Sequence, residues 1–161
     1  MAKARPIPGL SEDLPYGMAA ARVLSVRAQE VAEHAPGVLD TADIERVHDM
    51  RIATRRLRAA LEVFEPCFPS KRAKAVLTEV KAIADALGER RDRDVHIAAM
   101  EHFATALSAP DRPGIDSLIG TLSAEQAEAN EALVPYVRDE RLGALGERLR
   151  ELVRDAETAA R

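Results

Sequence analysis

Aromatic residues are scarce in this chain: there is no Trp, and Tyr16, Phe64, Phe68, Phe103 and Tyr136 are the whole set. A core must therefore be built from Leu, Val, Ile and Ala. One cysteine, Cys67, excludes an internal disulfide and a Cys-based zinc site, which needs several thiolates. A packed thiol is the expectation for it. No run of about 18 apolar residues exists, so no membrane-spanning helix is expected. The basic stretch Met1–Pro8 leads into no apolar segment of signal-peptide type. These missing signals point to a cytoplasmic protein. There is also no Gly-rich phosphate loop.

What is present is charge and alanine. Charged residues make up 31% of 161, a content that suits helices with solvated faces around one core. The net charge is −4, but it is unevenly distributed. Residues 46–94 hold 12 Lys+Arg against 8 Asp+Glu, whereas the rest of the chain holds 11 against 19. A basic middle inside an acidic chain suggests a local anion-binding surface.

The breakers divide the chain. Pro6, Pro8, Gly9 and Pro15 mark residues 1–14 as a flexible N-terminal arm, leaving residues 15–161 as a single helical domain. Apolar residues at helical spacing predict a first helix over 16–35, ended by Pro36-Gly37. A second begins near Asp40–Asp43, which suit an N-cap, and runs to Phe64 before Pro66. A third runs from Ser70 to Leu87, with Gly88 as its stop. A fourth starts at Asp92 and reaches Leu107. A fifth covers 115–134, where Pro135 interrupts, and a last one covers 139–157. No alternating pattern supports a strand. The expectation is an all-α bundle of about five to six helices.

The second helix carries the chemistry. At about 100° per residue, with His48 at zero, Arg55, Arg51 and Arg58 fall at roughly −20°, −60° and −80°. Met50, Ala53, Leu57, Ala60, Leu61 and Phe64 fall opposite, on the expected core face. The cationic stripe reads as almost free of interleaved acid. Like charges three and four residues apart repel by about a few tenths of a kcal/mol per pair, which an anion lying on the row would relieve. Arginine suits that task, since its planar fork bonds phosphate bidentately and keeps its charge. His48 adds a further hydrogen-bond donor.

On the third helix Lys74 and Lys81 share a face opposite Val76, Val80, Ile83 and Leu87. With Asp92 as an N-cap, Arg91 would stand beside the amides of a helix N-terminus, a natural anion site. Against this stands the ordinary reading of any polar helix face as simply solvated, which composition alone leaves equally open.

Two motifs carry a resemblance. Val47-His48-Asp49-Met50-Arg51-Ile52-Ala53-Thr54-Arg55-Arg56-Leu57-Arg58, followed by Ala86-Leu87-Gly88-Glu89-Arg90-Arg91-Asp92-Arg93-Asp94-Val95, resembles the CHAD family. Its pattern is a His-x-x-Arg-x-x-x-Arg-Arg-Leu-Arg helix and then Leu-Gly-x-x-Arg-Asp-x-Asp. The segment from Tyr136 to Leu142 is also similar. The resemblance implies a helical fold and non-catalytic binding of inorganic polyphosphate by Lys, Arg and His. By motif position it implies His48, Arg51, Arg55, Arg58 and Arg91 as phosphate-binding residues. Lys74 and Lys81 join them from the helical wheel and a looser match.

The family domain is usually about twice this length, with two four-helix halves. The chain is thus expected to match the first half plus a flanking helix, and no second His-x-x-Arg helix follows Pro135. A homodimer that completes the basic cavity is the corresponding expectation. Association with polyphosphate granules would be compatible with it.

The rival readings are a nucleic-acid binder, using the same ladder on DNA or RNA phosphates, and a scaffold for an acidic protein partner. Neither a cofactor nor a metal is expected. His96 and His102 are six apart, which is not the i, i+4 spacing of a helical two-His site. Asp92 and Asp94 read as helix-end residues rather than magnesium ligands.

Overall fold

A computed structural model describes residues 3–160. Five α-helices hold 121 of these 158 residues, and no strand occurs among the described residues. They are α1 (Tyr16–His34), α2 (Ile44–Val63), α3 (Ser70–Ala104), α4 (Arg112–Val137) and α5 (Asp139–Ala159). Short 3-10 turns at Glu65–Cys67 and Ala109–Asp111 join α2 to α3 and α3 to α4.

α1 packs between α5 and α2, α2 packs on α3, and α3 also touches α5, closing a four-helix ring. Its core is aliphatic, as the shortage of aromatics requires. Leu24 of α1, Met50 and Leu57 of α2, Val80 and Leu87 of α3, and Leu152 of α5 are all essentially inaccessible. The core face foreseen for α2 is buried, with Phe64 half-buried at its end. Gly37, at φ 74, occupies the left-handed conformation in the turn after α1, where a side chain would be strained.

The arm lies against α1. The Arg5 backbone N–H donates to Glu30 Oε1 at 2.7 Å, and Arg27 Nη1 donates to the Arg5 carbonyl at 3.2 Å.

One expectation fails in an informative way. Residues 70–104 form a single helix of 35 residues, so Gly88 is not a stop and Asp92 is not a cap. A glycine in a helix interior costs about 1 kcal/mol. Leu87 just before it and Arg90 and Asp94 just after it are buried, and the packing on both sides outweighs the cost. Pro135 likewise does not end α4, which continues to Val137. It sits within the last turn, where the lost hydrogen bond matters least. α4 begins at Arg112, with Pro113 in its first turn.

The length of α3 shapes the molecule. At 1.5 Å per residue it extends about 50 Å, against about 30 Å for α2. The two run antiparallel, with Arg91 level with Ile44 and Glu45 at the start of α2. The remaining turns of α3 therefore overhang the ring. They pair there with the first half of α4, which returns to the core at Leu133 and Val137.

Candidate functional site

The seven basic residues singled out above lie on the outer side of α2 and α3. Three cross-helix contacts fix their register. Arg91 Nη1 donates to the Ile44 carbonyl at 3.0 Å and stands 3.6 Å from Glu45 Oε1. Arg51 lies across Gly88, its Nε 3.8 Å from where a Cβ on that glycine would be. Lys81 Nζ stands 3.3 Å from Glu62 Oε1. Going up α2 thus means going down α3, and the two cationic rows share one seam.

Within that seam the residues differ. Arg51, Arg55 and Lys74 have no carboxylate within 4.0 Å among the described residues. Arg51 is half-buried, and Arg55 and Lys74 are exposed. Arg58 and Lys81 share Glu62, whose Oε1 accepts from Arg58 Nε at 3.0 Å. That hydrogen bond holds the Glu62 carboxyl below its ordinary range, against the small opposing effect of burial. Glu62 falls at about −40° on the α2 wheel, inside the stripe. The stripe is therefore not free of acid, contrary to the expectation from the sequence. Lys74 lies two turns beyond Lys81, about 10 Å along α3.

Arg91 needs a correction. No helix begins at Asp92; Arg91 lies in the interior of α3, where the neighbouring amides are taken up by the helix itself. Its guanidinium closes the seam at the start of α2 instead. His48 is half-buried, with Glu45 and Asp49 close by; the three offer ligand atoms within 4.8 Å of one another. This acidic company was not foreseen, although the i, i+3, i+4 spacing was available to find it.

Two clefts lie away from the seam: about 350 Å³ between α1 and α5, lined in part by Ala28, Gly146 and Leu149, and about 340 Å³ beside Ala42, Ala98 and Ser123. Neither is lined by any of the seven residues.

Behind the seam lies a buried polar group that sequence reasoning misplaced. Arg90 and Asp94 are 0% and 1% exposed, with Arg90 Nη2 3.0 Å from Asp94 Oδ1. Gln126 Nε2 of α4 donates to the same oxygen at 2.6 Å. Burial pushes the Asp94 carboxyl up and the Arg90 guanidinium down. Asp94 thus belongs to the interior contact between α3 and α4, not to a helix cap. Leu87, Gly88, Arg91 and Asp94 of the second motif divide their roles accordingly: core, seam floor, seam end and buried ion pair.

The CHAD domain family matches residues 22–161. The chain belongs to the CHAD family. The match runs through all five helices and covers nearly the whole chain. No curated protein matches it. Among the described residues of this CHAD domain, no helix is long and apolar enough to cross a membrane.

Proposed function

We propose that this CHAD domain is a non-catalytic receptor for inorganic polyphosphate, held along the α2–α3 seam by His48, Arg51, Arg55, Arg58, Lys74, Lys81 and Arg91. The observation that carries the reading is the pair of antiparallel cationic rows, with Arg51 laid over Gly88 and, among the described residues, no carboxylate partner at Arg51, Arg55 or Lys74. From His48 to Arg58 the row extends about 15 Å. That suits a chain of phosphates better than a single anion. The arginine forks bond successive phosphoryl oxygens, and the lysines act as point charges on the other wall. A second copy of the chain is the partner, bringing a second basic seam to the same polyanion. The setting is the cytoplasm, beside polyphosphate granules.

Titration of the protein with polyphosphate of defined length tests this. Arg51→Ala with Arg55→Ala should weaken binding by about 100-fold, taking roughly 1.5 kcal/mol for each charge-assisted bond. Helicity should be unchanged, because neither residue is in the core. Equal binding by the double variant would refute the reading. A preference for DNA at equal phosphate concentration would favour a nucleic-acid ligand instead. No aromatic residue lies on the seam to stack on bases; Tyr16 and Phe64 face each other at 5.1 Å.

A further inference from the structure

We infer that the overhanging hairpin, formed by the end of α3 and the start of α4, is a twofold docking surface for a second copy of this chain. The inference rests on the reading that two chains pair, and not on the identity of the anion.

The hairpin is composed unlike the rest of the molecule. Residues 95–124 contain four formal charges, Glu101, Asp111, Arg112 and Asp116, in 30 positions. At the chain's overall 31% they would hold about nine. Yet this is the least covered part of the structure: within 95–124 only Ala104 is buried. Among the described residues, three of the six exposed large apolar side chains stand here, Val95 at 47%, Phe103 at 50% and Leu118 at 42%. A solvated helix face would carry charge at such positions. A face made to meet another would not.

The order of sizes on α3 indicates what it meets. Val95, Ala99 and Phe103 follow at i, i+4 and i+8 on one exposed stripe. The smallest of the three is in the middle. An antiparallel copy related by a twofold axis through Ala99 sets Ala99 against Ala99 of its mate, which lets the helices approach. It also sets each Phe103 against the other chain's Val95, large against medium. That is the self-complementary pattern a twofold interface requires, in which residue i meets j and j meets i. With almost no charge on the surface, two identical faces meet without like-charge repulsion. A charged partner, by contrast, would find little to recognise.

α4 continues the surface. Gly114 and Gly120 have nothing within 4 Å of an added Cβ, and Leu118, one turn after Gly114, is exposed. A standard interface takes about 20–30 residues a side. The outer half of a 30-residue hairpin supplies fewer, so the association should be reversible.

Sedimentation of the full chain across a concentration series tests this. The mass should rise from 17.5 kDa toward twice that value, and Phe103→Glu should move the midpoint up at least tenfold. A wild-type mass that stays monomeric to about a millimolar would overturn the inference, as would an unshifted midpoint in Phe103→Glu. A second variant avoids any question of misfolding. Ala99→Cys in a Cys67→Ser background should form a covalent dimer on mild oxidation, whereas Thr78→Cys on the basic face should not. Absence of the cross-link in an Ala99→Cys chain that sediments as a dimer would place the contact elsewhere and overturn the proposal. The phosphate reading is tested apart from this one: Arg51→Ala with Arg55→Ala should dimerise like the wild type.

Discussion

Glu62 on α2 stands 3.3 Å from Lys81 on α3 while accepting a hydrogen bond from Arg58 at 3.0 Å. One carboxylate thus occupies a cation of each helix, in the middle of the proposed phosphate seam. A phosphate chain settling there must displace it. Exposed pairs of this kind are worth about 0.2–1 kcal/mol, so Glu62→Gln should tighten polyphosphate binding by about two- to fivefold. Acid should do the same in the wild type. Glu62 is held below its ordinary range by Arg58, so it stays charged through neutral pH and releases Arg58 and Lys81 only as pH falls through its lowered value. Calorimetric titration of the variant at constant salt measures this; unchanged or weaker binding would mean that the chain does not pass over Glu62.

Gly88 offers a stabilisation without loss of the site. It lies in a helix interior, where glycine costs about 0.5–1 kcal/mol relative to alanine. An added Cβ would meet only Arg51 Nε, at 3.8 Å, an ordinary contact. Gly88→Ala should therefore raise stability by about that amount in chemical denaturation and leave polyphosphate affinity within twofold. Gly88→Phe should instead displace Arg51 and weaken binding. A destabilised Gly88→Ala would mean that the seam cannot accept even a methyl group.

Much of this was legible in the residues because it depends on local period. The aliphatic core of α2, the apolar side of α3 and the turn at Gly37 all follow from spacing and from what glycine alone tolerates. What failed depended on neighbours. Gly88 looks like a stop until Leu87 and Asp94 are seen to be buried on either side of it. Asp94 looks like a helix-end residue until Gln126, 32 positions away, is seen donating to it. Glu62 is different: spacing alone puts it at about −40°, inside the stripe, between Leu61 and Phe64 of the core face, so this acid was legible and overlooked. The overhang follows from helix length, which no window that breaks α3 at Gly88 could give.

Glu30 predicts how the domain responds to acid. Its carboxylate is 2% exposed, and burial by itself would raise its pKa. The Arg5 N–H at 2.7 Å and the Arg27 guanidinium at 2.7 Å more than offset this, so the group lies below its ordinary 4.5. A carboxyl lowered on folding contributes stability that is present above its unfolded value and is lost as pH falls through the folded one. Glu30→Gln should therefore destabilise the protein at neutral pH, and the difference from wild type should shrink below about pH 4. Thermal melts from pH 7 to pH 3 follow this; a constant difference would assign Glu30 a role independent of its charge.

The buried pair of Arg90 and Asp94 should be far costlier to halve than to remove. Taking away one member strands a charge in a dry interior, at a cost of about 3–5 kcal/mol, whereas replacing both by apolar residues is often neutral or stabilising. Asp94→Leu should thus destabilise strongly, leaving Arg90 inaccessible and Gln126 of α4 without its acceptor. Arg90→Leu together with Asp94→Leu should recover most of that loss, the remainder reflecting Gln126. Because the pair ties α3 to α4 at the base of the overhang, the single variant should also raise hydrogen exchange in the hairpin before the four-helix ring. If the double variant is no more stable than the single one, the pair is held by more than the mutual compensation of its charges, and the geometry at Gln126 becomes the deciding contact.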